Sequence, residues 1–138
     1  MINLLDNQAR AIVLLYRKLN KALDRELAPL GLTHGLYIYL FGLYIENGRT
    51  QQSLADAAAS DKAATTRSLC RLQKDGFIER RSDERDRRLV RVFLTDKGRC
   101  LQPKLEDALQ NGIEEIIAPL NKDQQTEFRA LLSLAISA

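Results

Sequence analysis

At Gly76 the apolar residues change their spacing, and this change constrains the fold more than any other feature of the chain. Upstream, Thr65, Leu69 and Leu72 fall at i, i+4 and i+7, the spacing of one helical face. Downstream, Phe77-Ile78-Glu79-Arg80-Arg81 and Leu89-Val90-Arg91-Val92-Phe93-Leu94 alternate or cluster β-forming residues around a wholly polar stretch from Ser82 to Arg88. Glycine just past a helix supplies the left-handed turn that ends it. The pattern therefore predicts a helix over Lys62–Asp75 and then a β-hairpin with a long charged tip.

The residues before that helix extend the pattern. Thr50 is placed to cap a short helix from Gln51 to about Ala58, with Leu54 and Ala55 facing inward. A tight link, Ala59-Ser60-Asp61, leads into the next helix, and Asp61 can both cap it and complement its dipole. The outer face of that second helix presents Ala63, Arg67, Cys70 and Lys74, flanked by Ala64, Thr66 and Arg71. Two short helices on a tight link match a helix-turn-helix, and a hairpin directly after one is a wing. Charge follows the same segment: Lys62–Arg91 holds ten basic and five acidic residues, a net +5, which leaves −2 for the other 108 positions. Eight of the ten cations are arginines, whose planar fork matches phosphate and guanine bidentately. A solvated surface loop is the duller reading of such a run.

The flanks read as long helices. Leu5, Ala9, Ile12, Tyr16, Leu19, Leu23 and Leu27 form one stripe of a first helix, widened by Val13, Leu14 and Leu15 and stopped at Pro29-Leu30-Gly31. Thr33 is the expected cap of a nearly all-apolar helix over 34–46, which must be buried on more than one face. Thr95 opens a fifth helix to about Ile117, with a kink expected at Pro103, and Lys122–Ser137 forms the last. The terminal helices carry broader apolar faces than a monomer of this size covers, so they argue for a homodimer. The fold class is thus mainly α with a small β-hairpin wing. One domain spans 1–138, with a winged helix-turn-helix core over about 33–94 and dimerisation helices over about 5–28 and 95–137.

Several function classes are excluded by the inventory. With 138 residues, the chain is large enough for one core without a disulfide or structural metal. Its two cysteines, Cys70 and Cys100, and single histidine, His34, do not make a four-ligand zinc site. No convergent acid and base pair marks an enzyme, and no cofactor is called for. No apolar run reaches the length of a membrane span and no basic leader precedes an apolar stretch, so a cytoplasmic protein is expected.

In this order and spacing the motifs resemble the MarR family of transcription regulators. The resemblance rests on Gly31-Leu32-Thr33, Gln51-Gln52-Ser53-Leu54-Ala55, Thr66-Arg67, Arg71-Leu72, Gly76-Phe77-Ile78-Glu79-Arg80-Arg81, Asp86-Arg87-Arg88 and Leu94-Thr95-Asp96-Lys97-Gly98-Arg99. It implies a homodimeric winged-helix regulator, more often a repressor, that binds a double-stranded DNA operator and is tuned by a small-molecule effector. The family's Asp-x-Arg wing motif falls on Asp86 and Arg88, so the carboxylate is expected to orient the guanidinium for the minor groove. There are two departures: Ala59 stands where the turn usually holds glycine, and no cysteine precedes Cys70.

Within that frame Lys62, Ala63, Ala64, Thr66 and Arg67 are the base-facing candidates, because a recognition helix enters the major groove through its first turns. Ala63 and Ala64 are also simply good helix formers. Arg85, Arg87 and Arg88 are expected at the minor groove. The duller reading is a solvated loop paired with Asp83, Glu84 and Asp86, and both can hold if the acids keep the wing ordered off DNA. Gln51, Gln52, Ser53, Arg71 and Lys74 are expected to position phosphates, or to be ordinary helix surface. Tyr16, His34, Tyr37, Tyr39 and Tyr44, with Phe41, are expected near an effector cleft, although such aromatics also build cores. Cys70, on the exposed face, offers an alternative thiol-sensing function, while Cys100 is read as structural. The other alternative is a winged helix that binds protein and not DNA.

Overall fold

A computed structural model describes Asn3 and residues 7–138. Leu5, the first residue of the expected N-terminal stripe, lies outside them. Helix α1 (Gln8–Leu27) is capped by Asn7, whose side chain accepts from Ala9 N–H. Only its C-terminal half is buried, through Ala22, Leu23 and Leu27; Ile12 is 68% exposed. A 3-10 turn over Ala28–Leu30, with Gly31 left-handed, folds the chain back into α2 (His34–Ile45).

Thr33 holds the N-cap position of α2, but its side chain makes no capping bond. Asp24 of α1 does so instead, accepting the His34 backbone N–H at 2.7 Å and the imidazole Nδ1 at 2.9 Å. The expected local cap is replaced by one from the neighbouring helix, because the sharp return at Ala28–Leu30 brings α1 alongside the start of α2. Burial raises the Asp24 pKa, but the His34 backbone, ring and charge outweigh it and leave the carboxyl below its ordinary value.

The sequence 50–76 then folds as α3 (Gln51–Ala57) and α4 (Lys62–Lys74). Thr50 caps α3 by accepting from Ser53 N–H, and Asp61 caps α4 by accepting from Ala64 N–H. Thr65, Leu69 and Leu72 are buried, as their spacing predicts. Gly76 closes α4 at φ 83°: its N–H reaches Gln73 O, and Phe77 N–H reaches Leu72 O. This is the paired-bond helix ending that a left-handed residue permits. It uses Phe77, so the first strand begins one residue later than expected.

Strands β1 (Ile78–Ser82) and β2 (Val90–Leu94) pair antiparallel, with Ile78 opposite Leu94 and Ser82 opposite Val90. The α2–α3 link adds to the free edge of β2. Gly48 N–H donates to Val92 O, Val92 N–H donates to Arg49 O, and Thr50 bridges Arg91. Because the link sits on that edge, the wing is joined to the helix-turn-helix by backbone as well as by side chains.

The expected fifth helix is divided. Helix α5 (Asp96–Cys100) and α6 (Gln102–Ile117) meet at Leu101, just before Pro103, which has no N–H to continue the ladder. The helical bonds from Leu101 N–H to Lys97 O and from Leu105 N–H to Leu101 O persist across the join, so the course bends without stopping. Helix α6 runs along α1, and a Cβ at Gly112 would lie 2.5 Å from Leu23 Cδ2, so glycine sets how closely the two approach. Helix α7 (Lys122–Ser137) begins with a reciprocal cap between Asn121 and Gln124.

One core joins these elements: Leu23, Leu27, Leu40, Leu43, Leu54, Leu69, Leu72, Ile78, Val92 and Leu105 belong to a single buried cluster. Truncating any of these leucines to alanine costs roughly 2–5 kcal/mol. By contrast α7 buries none of its residues; Leu131, Leu132, Leu134 and Ile136 are exposed, the last at 81%. Among the described residues no single helix is long and apolar enough to cross a membrane.

Candidate nucleic-acid interface

The turn between α3 and α4 is closed in the same way as the end of α4, but without glycine. Ala59 N–H bonds to Asp56 O and Ser60 N–H to Ala55 O, and Ala59 is held at φ 49°, the left-handed region. The departure noted at this position is thus a point of backbone strain, since an L side chain there crowds the following carbonyl.

On α4, Lys62, Ala63, Arg67, Cys70, Arg71 and Lys74 are exposed, while Ala64 and Thr66 are half-buried. Thr66 is already committed. Its hydroxyl donates to Lys62 O and accepts from Gln51 Nε2, both at 2.8 Å, so it ties α3 to α4 and has no proton left for a base. Gln52 donates to Asp56, and Ser53 Oγ accepts from Arg49 Nε at 2.9 Å. Arg71 pairs with Asp75 four residues on. Among the described residues, Lys62, Arg67, Lys74, Arg85 and Arg87 have no side-chain partner.

The wing tip is organised by carboxylates. Asp86 accepts Arg88 Nε and Nη2, both at 3.0 Å, and also the Arg88 backbone N–H. This is the bidentate fork expected of the Asp-x-Arg motif. The Arg88 side chain, and then its backbone N–H, hold the Asp86 carboxyl below its usual range, and Arg88 remains 90% exposed at the tip. Arg81 and Arg80 are more constrained. Arg81 lies 4.2 Å over the Phe93 ring, and Arg80 bonds Gln73 Oε1 and Cys70 Sγ.

Gln51, Gln52, Lys62 and Arg88 surround one concavity of about 350 Å3 between α3, the start of α4 and the wing. The geometry therefore brings Lys62 of the recognition helix and Arg88 of the wing to one concavity. Sequence reasoning did not single out Arg49, Arg80, Asp83 or Arg91 as functional. Their partners lie on other elements, so spacing within the sequence carried no signal.

Of the aromatic group, Tyr16, His34, Tyr37 and Tyr39 line a cleft of about 390 Å3 between α1, α2 and the α3–α4 turn. Tyr39 is 3% exposed and its hydroxyl sits 3.1 Å from Thr65 Oγ1, so it belongs chiefly to the core. Burial, and after it the nearby Tyr16, raise the Tyr37 pKa. Tyr44 lies apart from the cleft. Its hydroxyl donates to Gly98 O at 2.7 Å, and burial followed by the charge of Glu106 pushes its pKa up to about 12. Phe41 packs edge-on against Tyr37 and Tyr44. Both cysteines are unbridged and exposed; Cys100, expected to be structural, is not packed inside. No cluster of metal-ligating side chains occurs among the described residues.

Two crossed helices, the second presenting free cations, and a charged hairpin beside them define a winged helix-turn-helix protein. Comparison with known proteins takes this further. The family model described as MarR family matches residues 32–90. Over 107 residues, covering 78% of this chain and 74% of the relative, the sequence is 30% identical to the HTH-type transcriptional regulator BilQ of Clostridium symbiosum (strain WAL-14163). A MarR transcriptional regulator from Methanosarcina mazei Go1 superposes with a TM-score of 0.87 at 32% identity, over 94% of this chain and 93% of that one. A cysteine-to-serine mutant of MarR from E. coli, complexed with operator DNA, superposes with a TM-score of 0.84 at 26% identity, over 92% and 91% of the two chains. The chain belongs to the MarR family, whose members are DNA-binding transcription regulators and not enzymes. The reading of a winged helix that binds only protein is set aside by that membership.

Proposed function

We propose that the protein is a homodimeric repressor that occupies a pseudo-palindromic operator. Each protomer supplies one recognition helix to the major groove and one wing to the adjacent minor groove, with half-sites about one helical turn apart. The observation that carries the reading is the shared concavity lined by Lys62 at the start of α4 and Arg88 at the wing tip, with Arg67 exposed further along α4. An unpartnered guanidinium such as Arg67 suits base edges, the carboxylate-aimed Arg88 suits a narrow minor groove, and partnered polar residues such as Gln51 suit register. The unburied apolar faces of α1 and α7 support the dimer, because faces of that extent are normally covered in solution. A regulator of transcription works where the DNA is, which for this reading is the cytoplasm.

The cleft beside Tyr16, His34 and Tyr37 supports modulation by a small molecule. It lies between α1 and the α3–α4 turn, so a ligand there bears on how the dimer helices set the separation of the two recognition helices.

Fluorescence anisotropy against the duplex upstream of the protein's own coding region tests the proposal, with Arg88→Ala alongside and across a salt series. The expected result is saturable binding of two protomers per duplex, weakened by Arg88→Ala and falling steeply with salt as counterions are released. Equal binding to scrambled duplex, followed by failure to enrich any sequence from a random pool, overturns it.

A further inference from the structure

The wing holds a second carboxylate–guanidinium pair, Asp83 with Arg91, that differs in kind from Asp86 with Arg88. The Asp83 side chain is only 14% exposed and uses both oxygens. One accepts the backbone N–H groups of Arg85 at 3.1 Å and Asp86 at 2.8 Å. The other accepts Arg91 Nε at 2.5 Å. Arg91 then reaches out of the wing, with Nη1 donating to Gly48 O at 3.0 Å in the α2–α3 link. A continuous set of bonds therefore runs from the entrance of the helix-turn-helix, through Arg91 and Asp83, into the turn that carries Asp86 and Arg88. Asp83 also offsets a cross-strand repulsion, since Arg81 and Arg91 stand opposite each other in the hairpin register.

We infer that Asp83 and Arg91 are positioning residues for DNA recognition: they hold the wing tip at a set height against the helix-turn-helix, so that Arg88 meets the minor groove already aimed. The inference rests on the reading that Arg88 contacts DNA. Its physical basis is preorganisation. A loop ordered before binding has no further conformational freedom to lose when it binds. The Arg91 side chain, with the turn N–H groups, keeps Asp83 ionised well below the usual carboxylate range, so the brace is in place at neutral pH. Charge alone predicts the opposite effect, because a carboxylate beside a polyanion repels it. Removing Asp83 therefore separates the two ideas by sign.

The test uses the full chain and a duplex selected from random sequences by the wild-type protein. Asp83→Ala, Asp83→Asn and Arg91→Lys are titrated by fluorescence anisotropy, alone and combined with Arg88→Ala, with thermal melts of each. Asp83→Ala is expected to bind about tenfold more weakly despite losing a negative charge. Arg91→Lys, unchanged in net charge, is expected to weaken binding similarly, because a single ammonium cannot span both Asp83 and Gly48. Asp83→Asn keeps an acceptor for the turn and is expected to fall between. In the Arg88→Ala background Asp83→Ala is expected to cost no more than about twofold, because the group it aims is gone.

Wild-type or tighter binding by Asp83→Ala, with Arg88→Ala weak, overturns the inference while sparing the wing reading. So does a loss that is fully additive with Arg88→Ala. Wild-type binding by Arg88→Ala alone removes the wing reading and the inference with it. If Asp83→Ala melts below the assay temperature, Asp83→Asn and Arg91→Lys carry the same comparisons.

Discussion

The recognition helix and the wing solve the problem of holding cations steady in different ways. Helix α4 is rigid through its backbone: Asp61 caps one end, the Gly76 turn closes the other, and Thr65, Leu69 and Leu72 seat it in the core. Its cations Lys62, Arg67 and Lys74 therefore project without partners. From Asp83 to Leu89 the wing has no regular backbone; two backbone bonds, Asp83 N–H to Leu89 O and Leu89 N–H to Asp86 O, close it, and the carboxylates of Asp83 and Asp86 order the rest. The acids among the wing arginines are thus more than a solvated surface. Where regular backbone pairing ends, carboxylates add to the order that the remaining backbone bonds supply, at the cost of some positive field.

This contrast can be broken or sharpened by three substitutions. Arg67→Ala removes a free guanidinium from a rigid support and is expected to lower operator affinity by about 10- to 100-fold and to relax discrimination at one base pair. Titration against single-base-pair operator variants checks it; a uniform loss across all variants demotes Arg67 to a phosphate contact. Asp86→Ala is expected to weaken binding by about three- to tenfold, since Arg88 stays charged but loses its aim. Tighter binding by Asp86→Ala, read from the same titration, removes the distinction between the two regions.

The smallest effect is expected at the helix-turn-helix turn. Ala59→Gly relieves a left-handed alanine worth about 1–2 kcal/mol. The looser unfolded chain returns roughly 0.4–1 kcal/mol of that. A net rise in unfolding free energy of between zero and about 1.6 kcal/mol is expected in denaturant titrations, with operator affinity unchanged. A change in affinity shows instead that α4 is held less firmly than its caps and core contacts imply.

Much of the candidate interface was legible because its signals are local. Thr50, Asp61 and Gly76 act on groups two to four residues away, and the spacing of Thr65, Leu69 and Leu72 marks which side of α4 is left for cations. Thr33 misled because its cap position is filled by Asp24, ten residues away on another helix. The tyrosines were grouped by the resemblance: Tyr16, Tyr37 and Tyr39 do line one cleft, but packing also ties Tyr39 to Thr65 and sends Tyr44 to Gly98 instead. Asp83 was legible only as one of three acids able to pair with the wing arginines; its choice of Arg91, and the reach of Arg91 to Gly48, depend on the α2–α3 link lying along β2.

By itself the sequence determined the order of the elements and the basic face of α4, while the Asp86–Arg88 fork was what the family resemblance implied. Each rests on dihedral preference, helical period or contacts between residues close in the chain. Only the tertiary structure decided which arginine each wing carboxylate holds and which aromatics line the cleft. Those depend on groups distant in sequence meeting in space, and no local propensity encodes such a meeting.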